Sequence, residues 1–155
     1  MNYVFILAVG IGFVAGLRSL TAPAVVAWGT HLGWLNLQGS PLAFMGSTVA
    51  VAIFSVLAIG ELIADKLPMM SKRTAPAPLM ARIITGGLCG ASLYAAARLS
   101  LVPGALLGGI GGVIGAFLGY DIRRRLVNSL QIKDFAVAVC EDLLAIGLAL
   151  FLISR

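Results

Sequence analysis

Long apolar runs separated by short polar clusters make up this chain. Four runs reach the roughly 20 residues a helix needs to cross a bilayer. They are residues 41–60, 77–97, 101–120 and 135–154. The N-terminal part is divided. Residues 2–17 are apolar, Arg18 and Ser19 interrupt, and residues 23–37 are apolar again, with Trp28, His31 and Trp34 near the end. The pattern predicts two short spans joined by a tight turn at Arg18. The alternative is one span followed by a re-entrant or interfacial helix. The expected fold class is an all-α integral membrane protein with about six short transmembrane helices, or five plus a re-entrant helix. The whole of 1–155 reads as a single transmembrane domain. The first run lacks the basic start of a signal peptide, and Arg18 and a proline turn follow it at once, so a retained helix is expected.

Composition narrows the class. The chain is 60% hydrophobic and 11% charged, whereas a soluble domain is about a quarter charged. A soluble globular domain and a disordered segment are therefore both poor fits. Two cysteines do not make a disulfide scaffold, and Cys89 and Cys140 read as small buried hydrophobes inside apolar runs. No metal-ligand spacing occurs, and a lone His31 does not make a zinc site. No cofactor is expected.

The formal net charge is +5, from 11 basic and 6 acidic residues. Before Glu61 the only charged side chain is Arg18. The basic residues punctuate apolar runs instead of forming one face, so nucleic acid is not an expected partner. They read as cytoplasmic loop residues. The turns at Arg18, at Lys66, Lys72 and Arg73, and at Arg123, Arg124, Arg125 and Lys133 then share the cytoplasmic side of the membrane. Both termini lie outside, and Trp28 and Trp34 sit towards the outer interface. Arg98 falls at the outer end of its span and Arg155 dissents at the far end.

A short repeat is embedded in this pattern. Thr21-Ala22-Pro23-Ala24 recurs as Thr74-Ala75-Pro76-Ala77, each preceded by basic residues and followed by an apolar helix. Further on, Gly60-Glu61-Leu62 parallels Gly119-Tyr120-Asp121. The repeat units are approximately 18–67 and 72–126. Threonine is a good helix N-cap, and proline is tolerated in the first turn, so two capped helices explain the tetrapeptide. With Arg18 and Arg73 beside them, the same helix starts also form an anion-attracting pair.

Three motifs resemble a known family. They are Arg18-Ser19-Leu20-Thr21-Ala22-Pro23, then Glu61-Leu62-Ile63-Ala64-Asp65-Lys66-Leu67-Pro68, then Arg73-Thr74-Ala75-Pro76 with Arg82 and Gly86 after it. Together they resemble the small bacterial multi-pass membrane proteins called domain of unknown function 4126. The resemblance implies a multi-pass inner-membrane protein and no substrate, reaction or catalytic residue.

Ionisable groups inside spans are the candidates for chemistry. Glu141 and Asp142 fall near the middle of the last span, about 100° apart on a helix. They read as a cation or proton site, or as a buried salt bridge to Arg82 or Arg18. Glu61 and Asp65 share one helix face and could hold a proton or a hard cation. They could equally be interfacial charges balanced by Lys66 and Arg73. Asp121, in the parallel segment of the repeat, is the match to the Glu61 and Asp65 pair. Arg82 lies just inside its span, able to snorkel inward or to meet Glu141 or Asp142.

Gly12 and Gly16, Gly86 and Gly90, and Gly108, Gly111, Gly112, Gly115 and Gly119 give small-residue helix faces. These suit packing inside the chain, or the seam of a homo-oligomer. Gly108-Gly109-Ile110-Gly111 mimics a phosphate loop but follows no strand. No serine or cysteine has a histidine in reach, so an enzyme is not expected. The leading expectation is a small transporter or channel for an ion or small charged solute. Its site would lie between the repeats, formed by Arg18, Thr21, Glu61, Asp65, Arg73, Thr74, Arg82, Asp121, Glu141 and Asp142. The alternatives are binding or moving phosphate-bearing lipid at the cytoplasmic face, which the Arg123–Arg125 run could assist, and a non-transporting scaffold or assembly subunit.

Overall fold

The computed structural model describes residues 2–64, 76–131 and 133–155. Among them are six α-helices: α1 (Asn2–Leu17), α2 (Thr21–His31), α3 (Thr48–Ala64), α4 (Pro76–Ala96), α5 (Leu101–Leu130) and α6 (Asp134–Ile153), with one 3-10 turn at Ala43–Gly46. No strand occurs among the described residues. Helices α4, α5 and α6 are long and apolar enough to cross a membrane, while α1 and α3 are apolar but shorter. The chain is a helical membrane protein, as its hydropathy predicts. Many of its large apolar side chains point outward, among them Ile6, Val56, Ile84, Leu106 and Leu143. In water that surface would be a liability, and against lipid it is the stable arrangement.

Helix ends differ from the expected ones for local reasons. Helix α2 stops at His31, well short of residue 37. Gly33 takes φ +85°, and the amides of Trp34 and Leu35 turn back to the Gly29 carbonyl, a common way to end a helix. Helix α3 begins only at Thr48, because Ser47 Oγ accepts the Ala50 amide and fixes the start there. Helix α5 runs past residue 120 to Leu130, where Gln131 turns left-handed at φ 51°. Arg123, Arg124 and Arg125 therefore lie on a helix and not in a turn.

The core of the bundle is a glycine seam between α1, α4 and α5. Gly12 meets Gly108 and Gly16 meets Gly112, so α1 and α5 run in the same direction. Gly86 meets Gly108 and Gly90 meets Gly104, so α4 runs against both. A Cβ on Gly12, Gly108, Gly111 or Gly115 would overlap a backbone carbonyl of the neighbouring helix. Only glycine allows backbones this close. These faces are occupied inside the chain, and association between copies through them would require the seam to open.

The remaining helices surround this seam. The Trp28 indole donates to Ser55 Oγ at 2.9 Å, and the Glu61 carboxylate meets Ser19 and Leu20, so α3 runs against α2. Gly10 lies against Leu152 and Gly29 against Ile153, while Arg18 reaches the Ala138 carbonyl. Helix α6 therefore opposes α1 and follows α2. Helices α1 and α2 form a hairpin that reverses at residues 18–20. Its tip lies beside the middle of α6, not at its end.

Candidate functional site

The hairpin tip gathers charge. Arg18 is the largest fully buried side chain, at 0% exposure. A bare guanidinium could not be held there, because desolvating an unpaired charge is very costly. Its Nη2 forms an ion pair with the Asp142 carboxylate, stands 4.0 Å from Glu141, and donates to the Ala138 carbonyl at 3.5 Å. The Glu141 carboxylate lies 3.5 Å from Arg123 on α5. The two neighbouring acids of α6 thus diverge, as helix geometry requires. Asp142 faces inward to Arg18, and Glu141 bridges Arg18 and Arg123.

Two further groups stabilise the helix ends at the tip. The Glu61 carboxylate of α3 accepts the Ser19 amide at 2.9 Å, the Ser19 hydroxyl at 2.7 Å and the Leu20 amide at 2.8 Å. It places negative charge at the N-terminus of α2, where the helix dipole favours it. Arg82 of α4 is buried, and its Nε donates to the Gly16 carbonyl at 2.8 Å in the last turn of α1. Its Nη1 donates to the Pro78 carbonyl at 3.3 Å. A cation at the C-terminal end of α1 is the complementary arrangement.

Thr21 does not cap α2 as its sequence context predicts. It is already inside the helix, because Leu20 before it has helical angles, φ −102° and ψ −17°. Glu61 takes the capping role from another helix. The Thr21 hydroxyl is buried and makes no hydrogen bond among the described residues. Asp121 does not join the cluster either. It pairs with Arg125 one turn along α5 at 3.0 Å, where Arg125 is exposed and Asp121 half-exposed. Asp65, Arg73 and Thr74 lie outside the described residues, as do Lys66 and Lys72.

The structure thus brings together Arg18, Glu61, Arg82, Glu141 and Asp142 at one tip. Ser19 and Arg123 belong with them and were not singled out from the sequence. Ser19 sits inside the Arg18–Pro23 motif, where a hydroxyl beside a helix start was the available signal. Arg123 was hidden by its two arginine neighbours, which all read as one topology signal. Three basic and three acidic side chains meet here: Arg18, Arg82 and Arg123 against Glu61, Glu141 and Asp142. Such a balanced cluster can hold a proton or exchange one ionic partner for another.

The opposite end of α2 has different chemistry. His31 Nδ1 lies 2.9 Å from the Gly46 carbonyl, so that nitrogen carries the proton, and the ring stands edge-on to Trp28. His31, Asn36, Gln38 and Ser47 line an open pocket of about 610 Å³, with no Asp, Glu, Lys or Arg among the described residues that line it.

The family model described as Domain of unknown function (DUF4126) matches residues 5–154. No curated protein and no solved structure matches the chain. The chain belongs to the DUF4126 family, in agreement with its three motifs.

Proposed function

We propose that the chain is a small membrane transporter or channel for an ion or small charged solute. Its site lies where the repeat units 18–67 and 72–126 face each other, closed by α6. The observation that carries this reading is the start of α2. A helix of 11 residues covers about 16 Å, roughly half of a hydrocarbon layer about 30 Å thick. Its N-terminus sits beside Asp142, eleven residues back from the end of α6 at Ile153. In this reading the hairpin of α1 and α2 dips from the outer face and turns within the bilayer, an arrangement distinct from both two full spans and one span followed by a re-entrant helix.

Half-helix ends at such depth are where many transporters bind charged substrates. Here Arg18 of the turn and charged side chains from α3, α4, α5 and α6 converge on one. Each ionisable group in the hydrocarbon costs about 2.5–3.5 kcal/mol on insertion scales. A hairpin that only had to be packed would be held at lower cost by apolar contacts. The alternating directions of α3 to α6 put the end of α3 and the end of α5 on one side, and the positive-inside rule makes that side the cytoplasm, with both termini outside. The mechanism is alternating exposure of the tip.

Flux into proteoliposomes tests this. Protons, alkali cations, divalent cations and small anions are offered to wild type, Glu141→Gln and Asp142→Asn. A flux present in wild type and lost in folded variants is the expected result. No wild-type flux for any solute contradicts it.

A second reading has its own support at the cytoplasmic end. Arg124, Arg125 and Lys133 are exposed beside exposed Ile122, Leu130 and Phe135. Basic groups next to apolar anchors suit anionic lipid headgroups. Anionic lipid that stays with the purified protein, and is lost on Arg124→Ala with Lys133→Ala, is the expected sign.

A further inference from the structure

The far end of α2 carries a cavity that the charged tip does not use. Its wall includes Thr30, His31, Asn36, Gln38 and Ser47, and its volume is about 610 Å³. Small-molecule sites typically enclose about 300–1,000 Å³. The loop that shapes the cavity is fastened from beneath. Leu35, Leu37 and Met45 are buried in the core, and His31 Nδ1 donates to the Gly46 carbonyl at 2.9 Å. The walls therefore hold their position without a ligand, which lowers the ordering cost of binding one.

Hydrogen bonding within the loop sorts this wall into donors and acceptors. Thr30 Oγ1 donates to the Val26 carbonyl at 2.8 Å, so lone pairs are what it has left to offer. With the His31 proton on Nδ1, Nε2 is an acceptor. Asn36 Oδ1 accepts the Gln38 amide at 3.1 Å, and its side-chain N–H groups are donors. Ser47 Oγ accepts the Ala50 amide at 3.1 Å and keeps its O–H to donate. The Gln38 side chain brings both kinds. No charged residue is among the described residues lining the cavity, and none occurs in the sequence from 19 to 60. A carboxylate or phosphate would meet lone pairs and no cation. An ammonium group would meet N–H donors and no anion. An apolar ligand would strand the polar groups, which is costly. A neutral hydroxylated molecule matches the wall, because each of its hydroxyls both donates and accepts.

Two aromatic rings narrow the class. Trp28 stands edge-on to His31 with ring centroids 6.4 Å apart, and Trp34 lies between the lining residues Gly33 and Leu35. Both indoles are exposed, and they are the two tryptophans of the chain. A pyranose ring has hydroxyls around its edge and C–H groups on its faces, and an indole is apolar over its ring. We propose that this cavity binds a neutral pyranose sugar, either free or as the headgroup of a glycolipid. Leu32 and Phe44 are exposed, each next to a lining residue, and suit the acyl chains in the second case. The 11 residues of α2 separate this site from the tip by about 16 Å. The proposal is independent of the transport reading.

With both tryptophans at this end of the molecule, intrinsic fluorescence reports on the site. The purified full chain, in a zwitterionic detergent without sugar, is titrated with methyl β-glucoside, methyl β-galactoside and N-acetylglucosamine. Sodium acetate and choline chloride serve as charged controls. A second arm uses phosphatidylcholine nanodiscs with a rising share of glucosyl diacylglycerol. The expected result is a saturable fluorescence change with at least one sugar or with the glycolipid, and none with either salt. A response to free sugar identifies a soluble ligand, and a response to glycolipid alone identifies the headgroup. Asn36 and Gln38 are exposed, so Asn36→Ala with Gln38→Ala should fold as wild type. That variant should weaken binding by about fivefold or more, roughly the value of one net hydrogen bond. Asn128→Ala, on α5, should bind as wild type. The two substitutions are also made singly, which keeps the test intact where the double variant melts early. No saturable response to any sugar or to glycolipid overturns the proposal. So does a salt that matches the sugars, or folded Asn36 and Gln38 variants that bind as wild type.

Discussion

At the end of α1, residues two positions apart meet opposite kinds of neighbour. Gly16 lies backbone to backbone against Gly112 and Ala116 of α5. Arg18 meets a carboxylate pair and a carbonyl in a buried polar cluster. The glycine seam of α1, α4 and α5 is held by close contact, which has one arrangement and tolerates no added atom. The tip of α1 and α2 is held by hydrogen bonds and ion pairs, whose partners can be exchanged. A rigid three-helix core thus carries a polar end whose bonding can change, and that division of labour suits a transporter.

Substitutions should separate the two regions by size of effect. The largest is expected in the seam. Gly108→Leu drives a side chain into the Gly86 carbonyl. The loss should exceed about 4–5 kcal/mol, seen as failure to recover monodisperse protein. Next comes Arg18→Met, which takes the Arg18 guanidinium away from the buried Asp142. It should cost about 3–5 kcal/mol in thermal or chemical unfolding, and Arg18→Met with Asp142→Leu should recover much of that. Glu61→Gln removes the charge on the α2 start and should cost about 1.5–3 kcal/mol by the same measurement. Arg125→Ala breaks an exposed pair on α5 and should change stability by less than about 0.5 kcal/mol. The smallest effect is expected at Gly147→Ala, where an added Cβ meets nothing within 4 Å. A seam substitution as mild as Gly147→Ala would remove the contrast, and a Glu61→Gln effect as large as Gly108→Leu would blur it.

Much of the fold was legible because burial in lipid writes itself as apolar runs. The last three helices fall where hydropathy predicts them. The glycine spacing on the first, fourth and fifth runs likewise pointed to close packing, since small residues at helical intervals have few other uses. Helix ends were less legible. The stop of α2 depends on Gly33 adopting positive φ, and the start of α3 on Ser47 capping it, choices that hydropathy does not record. At the tip, Arg18 pairing with Glu141 and Asp142 was readable as one of two options, because charges in a span need partners. Glu61 was singled out for its helical spacing to Asp65. Its actual contact is across helices to Ser19 and Leu20, and no spacing along the chain encodes that. Asp121 stands one position beyond Glu61's place in the repeat and makes a different contact, pairing with Arg125 one turn away.

Solute flux in Glu141→Gln set against Arg125→Ala, at equal amounts of folded protein in liposomes, decides whether the polar tip is where solute passes. Glu141 is the better probe of the two acids, because its loss leaves the Arg18–Asp142 pair in place. The account predicts at least a tenfold fall in flux for Glu141→Gln, roughly 1.4 kcal/mol in barrier height, with Arg125→Ala equal to wild type. Equal flux in all three proteins would contradict it.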